Sequence, residues 1–202
     1  MVNENNGRYI LPQFEEKTAY GTRTQDPYSR LFRERVIFLG TQVDEVSSND
    51  VMSHLLVLEA LNSTDPITMY INSPGGDFSE MTAIFDTMEY VKPEVFTVCL
   101  GKASSSAAVL LAAGSKGHRA ALPNARILLH QPTVYGSGRG QASDINIQAK
   151  EIVKTREWLE KTLSRLTGRS EEQVEKDIER NFYLSAQEAL EYGIIDHILI
   201  RT

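Results

Sequence analysis

Three serines in a row, Ser104, Ser105 and Ser106, interrupt the stretch "CLGKASSSAAVLLAAG" (99–114), where a β-type run gives way to an apolar helical run. A hydroxyl at that junction has two uses. Serine is a favoured helix N-cap, and before an apolar helix it commonly does only that. A serine in the first helical turn also sits at the positive end of the helix dipole, where a developing oxyanion is stabilised. The small neighbours Ala103, Ala107 and Ala108 leave room for a substrate backbone, which a capping serine does not need. The run is not the G-x-S-x-G elbow of the α/β-hydrolases, because residue 107 is alanine.

Two other stretches carry complementary chemistry. In "YINSPGGDF" (70–78), Pro74-Gly75-Gly76 makes a tight turn with exposed backbone N–H groups. It is either an ordinary strand-to-helix turn, or a donor for an oxyanion and an edge that pairs with an extended peptide. Neither phosphate-loop pattern is present. In "ARILLHQP" (125–132), His130 ends an apolar strand, the address of a positioned imidazole or of a satisfied core histidine. His54 falls in a helix, and His118 and His197 have polar surroundings. No His/Cys/Asp cluster has metal-ligand spacing.

The elements that must position these residues follow from periodicity. Strands are predicted at 35–40, 67–72 and 95–101, and two short strands within 118–132 around Pro123-Asn124. Helices are predicted at 47–61, with a Ser or Asn cap, and at 78–91, where Phe78, Met81, Ile84, Phe85, Met88 and Val91 form one stripe. A short helix follows the serines. A long one runs over 143–166 and stops at Gly168, and two smaller ones precede a closing strand in "IIDHILI". Residues 9–27 read as an arm or loop. Strand centres at Ile37, Met69, Thr97 and Leu128 recur at about the spacing of a βαβ unit, so the class is α/β with one domain. The late long helix reads as an addition to the main body.

Composition sets the outer bounds. A chain of 202 residues with 41% hydrophobic and 24% charged residues suits one globular domain. A net charge of −6 with interleaved Lys and Arg argues against nucleic-acid binding. The single cysteine, Cys99, fits a buried thiol and a reducing compartment. The N-terminus lacks a secretory pattern, and "AAVLLAA" is too short to span a bilayer. A cytoplasmic location is expected, without membrane attachment.

Taken together, "YINSPGG", "GKASSSAAVLLAAGSKGHRAALPNARILLHQP", "GQASDI" and "LSAQEALEYGIID" resemble the ClpP family, the proteolytic subunits of the ATP-dependent Clp protease (peptidase family S14). The resemblance runs from about residue 9 to residue 200, and its finer features are similar to the actinobacterial branch that works beside a second ClpP paralogue. It implies an α/β, ClpP/crotonase-like spiral of β-β-α units with a protruding handle helix at about 141–167. It divides the chain into a propeptide (1–8), an N-terminal axial loop (9–25) and a single head domain (26–202). The implied activity is serine endopeptidase, with Ser105 as nucleophile, His130 as base, and the N–H groups of Gly76 and Ser106 as oxyanion hole. No cofactor or metal is implied; ATP is used by the partner. An acyl-CoA enzyme of crotonase type, a related fold, is disfavoured by the Ser105/His130 placement and the handle.

The sequence departs from the family pattern in "KDIERNFYLSA" (176–186), where Asn181 stands at the expected aspartate. Asparagine can accept the imidazole N–H but supplies no charge for the imidazolium. Low intrinsic activity, or activity only in a complex, is therefore expected, with Asp177 as an outside substitute. Ser106-Ala107 replaces the usual Met-Gly, and Ser106 is expected to act through its backbone, its side chain mattering less. The alternative is a largely non-catalytic structural or regulatory subunit.

The implied assembly is a homo- or hetero-tetradecamer of two heptameric rings, with a ClpP paralogue as the expected second component, fed with unfolded polypeptide by an AAA+ unfoldase of ClpX or ClpC type. Tyr70, Tyr90, Val98 and Leu100 fall on the family's docking positions, and Glu179-Arg180 resembles its ring-to-ring ion-pair element. Ile152, Trp158, Leu159 and Leu163 give the long helix an apolar stripe.

Overall fold

The computed structural model describes residues 12–19, 21–132 and 141–201. The expected propeptide at 1–8, the first part of the axial loop and all but the last residue of the Gly-rich stretch "TVYGSGRGQ" (133–141), which reads as a loop, lie outside them. The first described elements are an antiparallel hairpin, β1 (Phe14–Thr18) and β2 (Gly21–Gln25), then helix α1 (Pro27–Arg33). The sequence pattern predicts an arm or loop over 9–27, and the hairpin departs from it. α1 has a local cause: Asp26 accepts from the Ser29 N–H at 3.0 Å, and Pro27 opens the helix.

The body is built from β3 (Val36–Leu39), α2 (Glu45–Leu61), β4 (Ile67–Ser73), α3 (Phe78–Tyr90), β5 (Val95–Ser104) and α4 (Ser106–Ala112). β3, β4 and β5 pair in parallel. Ile37, Leu39, Ile67, Met69, Ile71, Thr97 and Cys99 are buried at alternate positions, so one sheet face meets the helices. α2 starts two residues earlier than its pattern indicates, because Asp44 and Ser47 form a reciprocal capping box. On the other sheet face Tyr70 lies opposite Val98, with Leu100 farther along β5. Tyr90, at the end of α3, is 77% exposed.

β5 sets the site. Its first half pairs with β6 (Arg119–Ala121) and its end with β7 (Arg126–Leu129), both in parallel. The two short strands thus do not pair with each other; they share one neighbour. The register against β4 shifts between Ile71 and Ser73, where three β5 residues stand against one, and the end of β5 leaves β6 to meet β7.

The chain closes with α5 (Ala142–Thr167), α6 (Glu171–Ile178), β8 (Phe182–Ser185), α7 (Ala186–Tyr192) and β9 (His197–Ile198). β8 is antiparallel to β7, and β9 pairs with β6. Gly168 ends α5 in the left-handed conformation (φ 77°). The apolar stripe of α5 is divided. Leu159 and Leu163 are buried in the main core, and Trp158 sets its ring edge-on to Phe78 and Phe85. Ile145, Ile147 and Val153, nearer the N-terminus, are exposed. The long helix is therefore packed on the body through its second half. The fold is mixed α/β with a parallel sheet and, among the described residues, seven helices. None of these helices is long and apolar enough to cross a membrane.

Candidate active site

Parallel pairing brings Ser104 of β5 beside Leu128 of β7. Ser105 and His130 therefore leave adjacent strands at the same end, and the Ser105 N–H donates to the Leu128 carbonyl at 2.7 Å. Both residues line one cavity of about 540 Å³.

Ser105 occupies the N-cap position of α4, yet its side chain makes no capping hydrogen bond. Its backbone lies at φ 55°, ψ −123°, a conformation that costs an L-residue energy. A serine serving as a cap adopts extended backbone and accepts from the second or third N–H of its helix. Ser105 does neither, which separates the two readings of the triplet. The helix that follows is wholly buried, so the small residues after the turn also serve packing.

The Pro74-Gly75-Gly76 turn closes over this serine. Gly75 has φ +83°, and a Cβ there would lie 2.2 Å from the Ser104 carbonyl oxygen and 3.1 Å from the Ser106 nitrogen. Only glycine allows that approach. On the other side, Val43 N–H donates to the Gly75 carbonyl at 3.0 Å, and Asp77 N–H donates to the Val43 carbonyl at 2.8 Å. The N–H and C=O of a trans peptide point in opposite directions. With the Gly75 carbonyl fixed on Val43, the N–H of Gly76 is turned the other way. Among the described residues that N–H donates to nothing. The first N–H groups of α4, beginning with Ser106, have no acceptor within the helix. The Ser106 hydroxyl, which sequence reasoning set aside, donates to the Gly76 carbonyl at 2.8 Å.

His130 is half-buried, with Nδ1 2.7 Å from the Gln131 carbonyl oxygen. A carbonyl only accepts, so in the neutral ring this contact puts the proton on Nδ1 and leaves the lone pair on Nε2. Asn181 shares a second cavity, of about 370 Å³, with His130, Gln131, Glu179 and Arg180. Asn181 is exposed, and among the described residues no hydrogen bond joins it to the imidazole. Asp177 is committed elsewhere: Tyr192 Oη donates to it at 3.0 Å and Gln173 Nε2 at 2.8 Å.

The turn before Asn181 is held from the His130 side. Gln131 N–H donates to the Ile178 carbonyl at 2.7 Å, and its side-chain amide donates to the Glu179 carbonyl at 2.9 Å. Arg156 of α5 pairs with Glu160, Glu175 and Glu179. Within one chain Glu179 thus meets Arg156 of the long helix.

The rest of the larger cavity is largely apolar: Phe78, Met81, Val109, Leu129 and Leu159 line it, with Gln42 and Asp77 as polar members. Leu159 comes from α5, which nothing in the sequence pattern places in the site. Among the described residues the arrangement offers a strained hydroxyl that caps nothing, an imidazole with one nitrogen uncommitted, two backbone donors without an acceptor and a recess lined largely by apolar side chains. That is a set of groups suited to acyl transfer.

Residues 19–202 match the model of the Clp protease family. The chain is 60% identical over 195 residues to ATP-dependent Clp protease proteolytic subunit 1 of Tropheryma whipplei (strain Twist), covering 96% of this chain and 94% of the relative. It is 62% identical over 192 residues to proteolytic subunit 2 of Leifsonia xyli subsp. xyli, covering 95% and 86%. To proteolytic subunit 1 of Bifidobacterium longum it is 58% identical over 192 residues, covering 95% and 82%. Motifs, strand order and these likenesses agree: the chain belongs to the Clp protease family.

Proposed function

We infer that this serine peptidase cleaves unfolded polypeptide with Ser105 as nucleophile and His130 as general base. The observation that carries the assignment is Ser105 itself. Its backbone is held at positive φ, its hydroxyl caps nothing, and it shares one cavity with His130. His130 Nε2 takes the Ser105 proton as Oγ attacks the substrate carbonyl. The N–H groups of Gly76 and Ser106 receive the oxyanion. The imidazolium protonates the leaving amine, and water, activated by the same nitrogen, then releases the acyl group. Groups of the chain suffice for each step, without metal or organic cofactor. The apolar lining favours an apolar substrate side chain beside the cleaved bond.

Asn181 is assigned a supporting role beside the imidazole, weaker than an aspartate because it brings no charge, and intrinsic activity is correspondingly low. The relatives are numbered subunits 1 and 2 of an ATP-dependent protease, which supports a paralogue and an ATP-using partner; the reading is completed by a double-ring particle in the cytoplasm, fed by an unfoldase of ClpX or ClpC type. The exposed isoleucines of α5 suit burial at such a ring contact.

Fluorophosphonate labelling tests the assignment. The full chain is labelled alone and mixed with its paralogue, with Ser105→Ala as control. Label at Ser105 in either state is expected. No label in both would leave a structural subunit in its place.

A further inference from the structure

We propose that the Ser106 side chain is a positioning residue for the oxyanion hole, through its hydrogen bond to the carbonyl of Gly76. The proposal rests on the reading of Gly76 N–H as an oxyanion donor.

The turn at 74–77 is the end of a strand, and its hold on the rest of the molecule is unequal. Its outer side is tied to Val43 by two backbone hydrogen bonds, Val43 N–H to the Gly75 carbonyl and Asp77 N–H to the Val43 carbonyl. A Cβ on Gly76 would lie 2.0 Å from the Val43 oxygen, so that side is already in close contact. Ser73 Oγ, which donates to the Thr41 carbonyl and accepts from Gly75 N–H, fastens the turn to the same β3–α2 segment. All of these ties pull away from α4. The inner side faces Ser104–Ser106, where Gly75 makes close contact but no backbone hydrogen bond.

The Ser106 hydroxyl crosses that inner side. It is buried at 6% exposure and reaches the Gly76 carbonyl at 2.8 Å. The two residues it joins are the two that carry the proposed donors, Gly76 N–H and Ser106 N–H. The bond therefore fixes the separation of one donor from the other. A tetrahedral oxyanion needs both at hydrogen-bond distance at once, and a donor pair loosened by a fraction of an ångström stabilises it less. The substrate carbonyl makes weaker demands on the same pair, so the effect belongs to the transition state. A hydroxyl is required: an alanine or a longer apolar side chain at 106 leaves the backbone donor in place but removes the tie.

The test compares Ser106→Thr, Ser106→Val and Ser106→Ala in the full chain, in whichever form, alone or with its paralogue, labels the wild type. Threonine and valine have the same shape and differ in the hydroxyl. The expected result is kcat for a peptide substrate reduced about tenfold in the Ala and Val variants at unchanged KM. Ser106→Thr is expected to keep kcat at several times that of Ser106→Val. Affinity for a peptide aldehyde, whose adduct places an oxyanion in the hole, is expected to fall in parallel with kcat. Unchanged kcat in Ser106→Ala, or equal kcat in the Thr and Val variants, overturns the proposal while Ser105 still labels. If wild-type Ser105 labels in neither form, the active-site reading fails and the proposal falls with it.

Discussion

The imidazole of His130 is oriented by the carbonyl of Gln131, its own chain neighbour, across 2.7 Å. The neutral tautomer that the proposed base at Nε2 needs is thereby set by a backbone atom, which no side-chain substitution removes. Asn181 lines a cavity with His130, and among the described residues no hydrogen bond joins the two. Orientation by this backbone carbonyl is thus separate from the charge compensation that an aspartate adds in a Ser-His-Asp triad, and neither Gln131 nor Asn181 carries such a charge.

That separation predicts different outcomes for two changes at one position. Asn181→Ala should lower peptide turnover less than about threefold, because the tautomer is kept by Gln131. Asn181→Asp adds a negative charge near the developing imidazolium and should raise kcat on the order of tenfold, equivalent to about 1.4 kcal/mol in the barrier. Steady-state turnover of a short fluorogenic peptide by both variants measures this. A severe loss in Asn181→Ala, or no gain in Asn181→Asp, would contradict the division of roles.

A second pair lies away from the cavity and predicts how the fold responds to acid. The guanidinium of Arg119, with 4% side-chain exposure, donates twice to Asp196 and also to the Ala112 and Leu166 carbonyls, joining α4, β6, α5 and the chain end. Burial acts to raise the Asp196 carboxyl pKa. The hydrogen bonds from Arg119, its charge and the Gly117 N–H outweigh burial and hold it at about 2, against an ordinary value of 3.8. A carboxyl depressed in the folded state stabilises above its unfolded pKa. Its contribution should therefore be complete above about pH 4 and lost as pH falls toward about 2. Asp196→Ala strands a buried guanidinium and should cost about 3 kcal/mol at neutral pH. The gap between wild type and variant should close as pH drops through that window. Denaturant unfolding at several pH values checks this; a gap independent of pH would reject it.

The sequence exposed what repeats along it. Alternate burial in Ile67, Met69 and Ile71 and the stripe of α3 span enough residues to show a period, and those elements form where the period places them. β8 has no such signal. Its four residues run straight into α7, and its strand character comes from pairing with β7. The hairpin at 14–25 is polar, so burial left no pattern there. In the site, Ser105, His130 and Gly76 were visible because residue type reports their chemistry. The Gln131 carbonyl is a backbone atom common to every residue, and the bond from Ser106 to Gly76 spans 30 positions. Neither has a local sequence signature.

The strained backbone of Ser105 predicts a conflict between stability and catalysis. At φ 55°, ψ −123° a Cβ is disfavoured, and glycine alone adopts such a conformation freely. Replacing an L-residue there relieves roughly 1–3 kcal/mol of strain. Glycine returns part of this, about 0.5–1 kcal/mol, through the greater freedom of its unfolded chain. Ser105→Gly should therefore unfold later than Ser105→Ala, which keeps the Cβ, by about 1 kcal/mol. Both variants should be unreactive to fluorophosphonate, so the comparison isolates backbone strain from the loss of the hydroxyl. Thermal unfolding of the two variants, assembled alike, measures the difference. A glycine variant no more stable than the alanine variant would mean that the turn is relaxed, and that Ser105 is presented to the cavity without cost to the fold.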